Sequence, residues 1–188
     1  MVDNSATSNI LEIKSGHDLI AAFQAGRIDF SGMDLHGIHL RGAHLNGIIL
    51  DGADLRDSDL CGTSFFRASL RGSMLNRAHL GILHDSAADP NLDDIDIDMG
   101  CVDLAQADLT GAFLNHAQMF SINLRDANLE HANLAGAMLR RADLGGTNLN
   151  ATDFSSADLS EALVSFEALK QAITTNTILK DARDADSL

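Results

Sequence analysis

Ala127-Asn128-Leu129-Glu130-His131-Ala132-Asn133-Leu134 sets a small residue, then Asn, then Leu, then two polar residues, and starts again after five. The spacing extends in both directions. Leu or Phe occupies every fifth position from Phe30 to Leu80, eleven in a row. Twelve more centres follow from Leu104 to Leu159, with Met119 the single substitute. Two residues before each centre stands a small or aliphatic residue, mostly Ala, Ile, Ser or Thr.

A period of five suits neither regular element. On an α-helix five residues advance about 500°, so successive centres would fall about 140° apart and form no buried stripe. On a straight strand five is odd, and successive centres would point to opposite faces. Within one unit, however, the small residue and the centre are two apart, and a short extended stretch puts both on one side. The chain must therefore bend once per unit, always in the same sense, around a shared axis. Gly stands two residues after the centre at 32, 37, 42, 47, 52, 62, 72, 111, 136 and 146, where a positive φ costs little. Asp or Asn before the centre can bond to nearby backbone and tie the corner. The outcome is a solenoid lined with leucine, each turn buried by its neighbours. Its 22 Leu and Phe centres, at roughly 1.5–3 kcal/mol each, suffice for a stable core without disulfide or metal.

Ala107-Asp108-Leu109-Thr110-Gly111 and Ala157-Asp158-Leu159-Ser160-Glu161 resemble the A(D/N)LXX consensus of the pentapeptide-repeat family. The resemblance covers residues 28–80 and 102–161. It implies an all-β fold, a right-handed quadrilateral β-helix with four units per coil. Twenty-three units give nearly six coils, about 28 Å long at ~4.8 Å per strand spacing. Some members dimerise through the C-terminal end, so a homodimer contact there is one expectation.

The 188 residues read as one domain. No apolar run approaches eighteen residues, and Met1 to Asn9 is Ser/Asn-rich, with neither a basic nor an apolar leader region. Cys61 and Cys101 are isolated at non-core positions, which suggests a reducing compartment. A cytoplasmic protein is expected, of bacterial origin on the strength of the resemblance.

Five segments are expected: a tail and capping helix over 1–27, coils over 28–80, an acidic insertion over 81–101, coils over 102–161, and a cap and tail over 162–188. Ser15 followed by Asp18, Leu19, Ile20, Ala22 and Phe23 reads as a short amphipathic helix ending at Gly26. Ser165 can cap a second helix carrying Phe166, Leu169, Ala172 and Ile173, with Thr177-Ile178-Leu179 as a last strand and fraying beyond Asp181. Leu80 and Leu104 are 24 apart, so the count of five fails between them. That stretch holds the only proline, Pro90, and six acidic residues, Asp85, Asp89, Asp93, Asp94, Asp96 and Asp98, without Lys or Arg. With Asp103 it carries half of the net charge of −14. An acidic element dispensable to the core is the best place to look for partner binding.

Familiar chemistry finds no support in the residues. Asp89, Asn91 and Asp93 match the first ligands of a calcium loop, but Asp94 replaces the required Gly and Gly100 the bidentate Glu. Stacking at twenty residues puts His39, Asp59 and His79 in one outward column, with imidazoles too far apart for zinc, and Asp57 beside Arg77 as a surface ion pair. No nucleophile–base grouping, phosphate loop or Cys/His metal spacing occurs, so neither enzyme activity nor a cofactor or metal is expected. Absence of Trp and Tyr, with the negative charge, argues against direct nucleic-acid binding. Phe66, Phe113 and Phe120 fall at outward positions and join the six aspartates as candidate partner contacts.

The leading expectation is a non-enzymatic scaffold for protein–protein interaction. The alternative is a DNA mimic acting on a type II topoisomerase, as in quinolone-resistance members of the family. Duplex DNA carries one charge per ~1.7 Å of axis, whereas net −7 outside the insertion over the coil length is one per about 4 Å. A mimic would need its acids gathered on one face.

Overall fold

The computed structural model describes residues 12–81 and 102–187. Each five-residue unit contributes one parallel bridge, made by the residue before its centre. Asp29, Asp34, His39 and His44 bridge in turn to Ile49, Asp54, Asp59 and Ser64. Twenty residues thus make one circuit, and four bridges per circuit make it four-sided. Face I runs from Asp29 to Asn148, face II from Asp34 to Ile173, face III from His39 to Ile178 and face IV from His44 to Arg183. On face IV the ladder widens into three two-residue strands, β1 (Asp143–Leu144), β2 (Leu163–Val164) and β3 (Arg183–Asp184), paired parallel in that order.

At nearly every corner the centre carbonyl accepts the N–H three residues on, as from Ile38 to Leu35 at 3.0 Å and from Ala132 to Leu129 at 2.8 Å. The residue two after the centre has φ between +52° (Ser121, Ala151) and +73° (Gly47), the signature of a type II turn. All ten corner glycines singled out in the sequence adopt it. So do Asp57, Arg67, His116, Ala151 and other non-glycine residues at the same position, where a left-handed conformation costs about 1–2 kcal/mol. The corner therefore follows from the ladder more than from glycine. Its N–H donates to the next coil, as from Gly37 to the Arg56 carbonyl at 2.8 Å and from Asp57 to that of Asn76 at 3.2 Å, and that bond holds the strained residue in place.

The centres and the small residues before them fill the interior. Phe30, Phe65 and Phe154 are fully buried, as are nearly all the leucines between them. Buried hydroxyls find two kinds of partner. Ser58 and Ser73 donate to Leu55 and Leu70 within their own turn, while Thr63, Thr147 and Thr152 reach the carbonyls of Leu40, Leu124 and Leu129 in the coil before. Among the described residues no buried side-chain polar atom lacks a partner.

Leu80 and Val102 meet at an ordinary corner. The Val102 N–H donates to the Leu80 carbonyl at 3.4 Å, the same turn bond as elsewhere. Bridges on either side are displaced by 39 instead of 20, from Ser64 to Asp103 and from His79 to Gln118. The sequence register shifts by 19 residues while the spatial register is kept. At this corner, between faces III and IV, the sequence has 21 residues, 81–101, where other corners have two.

At the N-terminal end α1 (Gly16–Gln24) begins at Ser15, whose Oγ accepts the Asp18 N–H at 3.2 Å, and the chain turns out at Gly26 with φ +97°. Leu19 and Ala22 are buried in the core cluster, and a Cβ on Gly16 would overlap the His39 carbonyl. At the other end α2 spans only Phe166–Leu169, capped by Ser165. This is shorter than the sequence suggests. Ala172 leaves the helix because Ile173 is drawn into the ladder beside Asp153. Fraying beyond Asp181 is also corrected, since β3 pairs with β2 and the Phe166 N–H donates to Asp184 at 3.1 Å. The nearly six coils expected become seven layers on faces II to IV, about 29 Å at ~4.8 Å per step.

Candidate interaction surfaces

Nine aspartates stand before a centre among the described residues, and all nine are structural. One carboxylate oxygen of each accepts the N–H two residues on, as in Asp34 to His36 (3.2 Å), Asp108 to Thr110 (3.0 Å) and Asp158 to Ser160 (2.9 Å). They are spread two, three, two and two over faces I to IV: Asp29 and Asp108; Asp34, Asp54 and Asp153; Asp59 and Asp158; Asp103 and Asp143. Arg41, Arg56, Arg71 and Arg125 pair with Asp59, Asp54, Asp108 and Asp143. Acidic side chains are thus dispersed around the rod and largely tied down.

The column of His39, Asp59 and His79 is present, with Asp59 engaged by its own neighbours. Asp59 accepts from the Cys61 N–H and from Arg41 Nε, both at 3.2 Å. No group of three or more metal-ligating side chains converges among the described residues. One corner over, Arg77 donates to both oxygens of Asp57 at 2.7 and 2.5 Å while His36 lies 3.2 Å away. The Arg77 hydrogen bond, with help from His36, holds the Asp57 carboxyl down at about 2. A depressed pKa stabilises the fold at every pH above the unfolded value near 3.9, and the contribution fades as pH falls through about 2. Asp57→Asn should therefore lower the melting temperature slightly at pH 5, the pair being exposed. The gap from the unsubstituted protein should close between pH 4 and about 2; a gap constant with pH would disconnect the stability from this ionisation.

The three phenylalanines do not form one site. Phe113 projects from face II and is 46% exposed. Phe66 sits half-buried at the corner between faces IV and I, with the Arg67 guanidinium 4.9 Å from its ring centroid and Arg67 Nε donating to Gln106 at 2.8 Å. Phe120, expected to face outward, is buried at 9% exposure. It occupies the corner of the coil after Gly81, whose added Cβ would lie 2.5 Å from the Phe120 carbonyl oxygen. Asp85, Asp89, Asp93, Asp94, Asp96 and Asp98 lie outside the described residues.

Other features were not evident from the sequence. Met74 stacks directly on Phe113, which a stride of twenty cannot find because the offset there is 39. Ile173, Ile178 and Leu179 are exposed on the last coil. The signal for the first two was available: an apolar residue where Asp or Asn usually stands. No helix among the described residues is long and apolar enough to cross a membrane.

A family model described as pentapeptide repeats matches in eight copies, over residues 28–65, 49–81, 96–126 and 127–165. Among solved structures, a trypsin-treated form of QnrB1, a plasmid-mediated fluoroquinolone resistance protein, is similar at 21% identity. The match covers 82% of this chain and 70% of that one, with a TM-score of 0.59, and it shows likeness of fold. HetL, a pentapeptide repeat protein involved in heterocyst differentiation regulation in the cyanobacterium Nostoc sp. strain PCC 7120, is 23% identical over 91% of this chain and 95% of its own, with a TM-score of 0.45. No curated protein matches by sequence.

Proposed function

The chain belongs to the pentapeptide-repeat family, and on that premise we propose that it is a non-enzymatic scaffold that presents rigid side-chain columns to a protein partner. The observation behind this reading is that the ladder runs through the acidic insertion without losing a bridge. Where other corners have two residues the sequence has 81–101, so the ladder does not need them, and an acidic segment of six aspartates placed there is accounted for by a partner. The preformed rod gives up little conformational freedom on binding. Its right-handed sense is that of the family. In this reading α1 and α2 act as lids over the ends, shielding strand edges that would otherwise recruit other chains.

Restoring the five-residue spacing requires removal of 19 residues. Replacing residues 82–101 with a single glycine does this and keeps Gly81 against Phe120. That variant should match the full chain in circular dichroism and melting temperature while losing the partner in cross-linking pull-downs. Unfolding of the variant, or unchanged capture, would count against the reading. A homodimer contact fits the C-terminal end, where Ile173, Ile178 and Leu179 are exposed.

The net charge of −14 and the fold likeness to QnrB1 favour a second reading, a DNA mimic acting on a type II topoisomerase. The dispersal of aspartates over all four faces weighs against it. Purified protein at micromolar concentration is expected to leave gyrase supercoiling and cleavage unchanged; dose-dependent inhibition or protection would reverse the order of the two readings.

A further inference from the structure

Face II carries an apolar step between acidic ones. In ladder order its outward residues are Asp34, Asp54, Met74, Phe113, Asn133, Asp153 and the exposed Ile173 at the far end, with no Lys or Arg in the column. Phe113 is the only phenylalanine before a centre among the described residues, and nearly half of it faces solvent. Beside it the corner on the face I side is formed by Gly72 and Gly111, where even the position of a Cβ is open space. On the other side Asn76 and Asn115 bond to each other. The ring therefore stands accessible between a glycine floor and an amide rail. Arg56 answers Asp54. Asp34 and Asp153 form no ion pair among the described residues, and each is bonded through one oxygen to a turn N–H.

The spacing along the face selects the shape of a ligand. Successive residues are one ladder step apart, about 4.8 Å. An α-helix laid along the axis repeats every ~5.4 Å, close to one turn per coil. A strand in the same direction places same-side residues about 6.7 Å apart and falls out of step within two coils. Building on the scaffold reading, we propose that face II docks an amphipathic helix of a partner protein. The helix sets an apolar turn on Met74 and Phe113 and carries Lys or Arg about two turns away on both sides, opposite Asp34 and Asp153. Like the helix-in-groove mode, apolar anchors supply affinity and flanking charge fixes orientation and register.

The probe is a labelled Ala-rich helical peptide with two leucines one turn apart at its middle and lysines toward both ends, read by fluorescence anisotropy. The full chain should bind it and ignore the same peptide with Glu for Lys. Phe113→Ser, an exposed position, should weaken binding at least about tenfold with unchanged circular dichroism. The double variant Asp34→Asn with Asp153→Asn should weaken it several-fold and flatten the salt dependence. Equal binding by Phe113→Ser would show only general attraction to an acidic protein and overturn the proposal, as would no binding at all. The variant lacking residues 82–101 should bind the peptide normally. If binding disappears there and survives Phe113→Ser, the scaffold reading stands and face II is not the docking surface.

Discussion

Phe65→Ala is expected to destabilise the protein by about 3–5 kcal/mol, the usual cost of emptying a buried aromatic site. Against a typical total of roughly 5–15 kcal/mol, that is a large share. Phe65 is fully buried, and the bridges beside it stack its unit between those of Leu45 and Leu104. Those neighbours cannot collapse into the void, because each coil is fixed by backbone bonds such as Phe65 N–H to the Asp103 carbonyl at 2.8 Å. In a solenoid each coil is coupled only to the next. A weak layer near residue 65 should therefore divide the rod into two less cooperative parts. Urea titration should show both a lower midpoint and a broader or split transition. A sharp transition at the original midpoint would mean that the interior is not closely packed at this layer.

Gly16→Ala is expected to detach the N-terminal helix. A methyl group at this position would overlap the carbonyl oxygen of His39, which belongs to the ladder and cannot retreat. The helix would have to lift, uncovering Leu19 and Ala22 and the first-coil side chains beneath them. Loss of Leu19 burial alone amounts to roughly 1.5–3 kcal/mol. With the first edge open, self-association should follow. Light scattering and amide exchange over residues 16–50 would report the change. A monodisperse variant with native protection at Leu19 would show that the helix can shift sideways and keep its contacts. Ala21→Gly, at an exposed helix position, is the control: it costs helix propensity of about 1 kcal/mol without touching the coil.

The period of five made the interior legible because a buried centre tolerates few residue types. Leu40, Leu109 and Leu134 could be placed from the sequence, and so could the corner role of Asp34 or Asn133, since these depend on spacing within one unit. Relations between coils were legible only where the stride held. His39 over Asp59 and Asp57 beside Arg77 were readable at twenty residues, but Met74 over Phe113 was not, because 39 has no signature in composition or periodicity. Phe120 departs from the sequence expectation for a related reason. Its position is outward by count, yet it is buried at a corner whose backbone lies against Gly81, a neighbour 39 residues away that the stride of twenty does not reveal. The C-terminal helix is shorter than its sequence suggests because helix propensity and capping at Ser165 are local, whereas the pairing that claims Ile173 is not. The acidic dispersal needed the four faces, since the sequence supplies the total charge without its direction.

The corner joining Leu80 to Val102 has a consequence for how such a chain can change over time. Its two ends are fixed at the separation of an ordinary turn, so the loop-closure term depends on the length between them only logarithmically. Doubling that length adds only about 0.6 kcal/mol. Lengthening, shortening or replacement of the segment should thus be nearly neutral for folding, while the same number of residues added within a strand would break the ladder on every later coil. A rod built this way offers a site where sequence can drift, be lost or be exchanged under selection for binding alone.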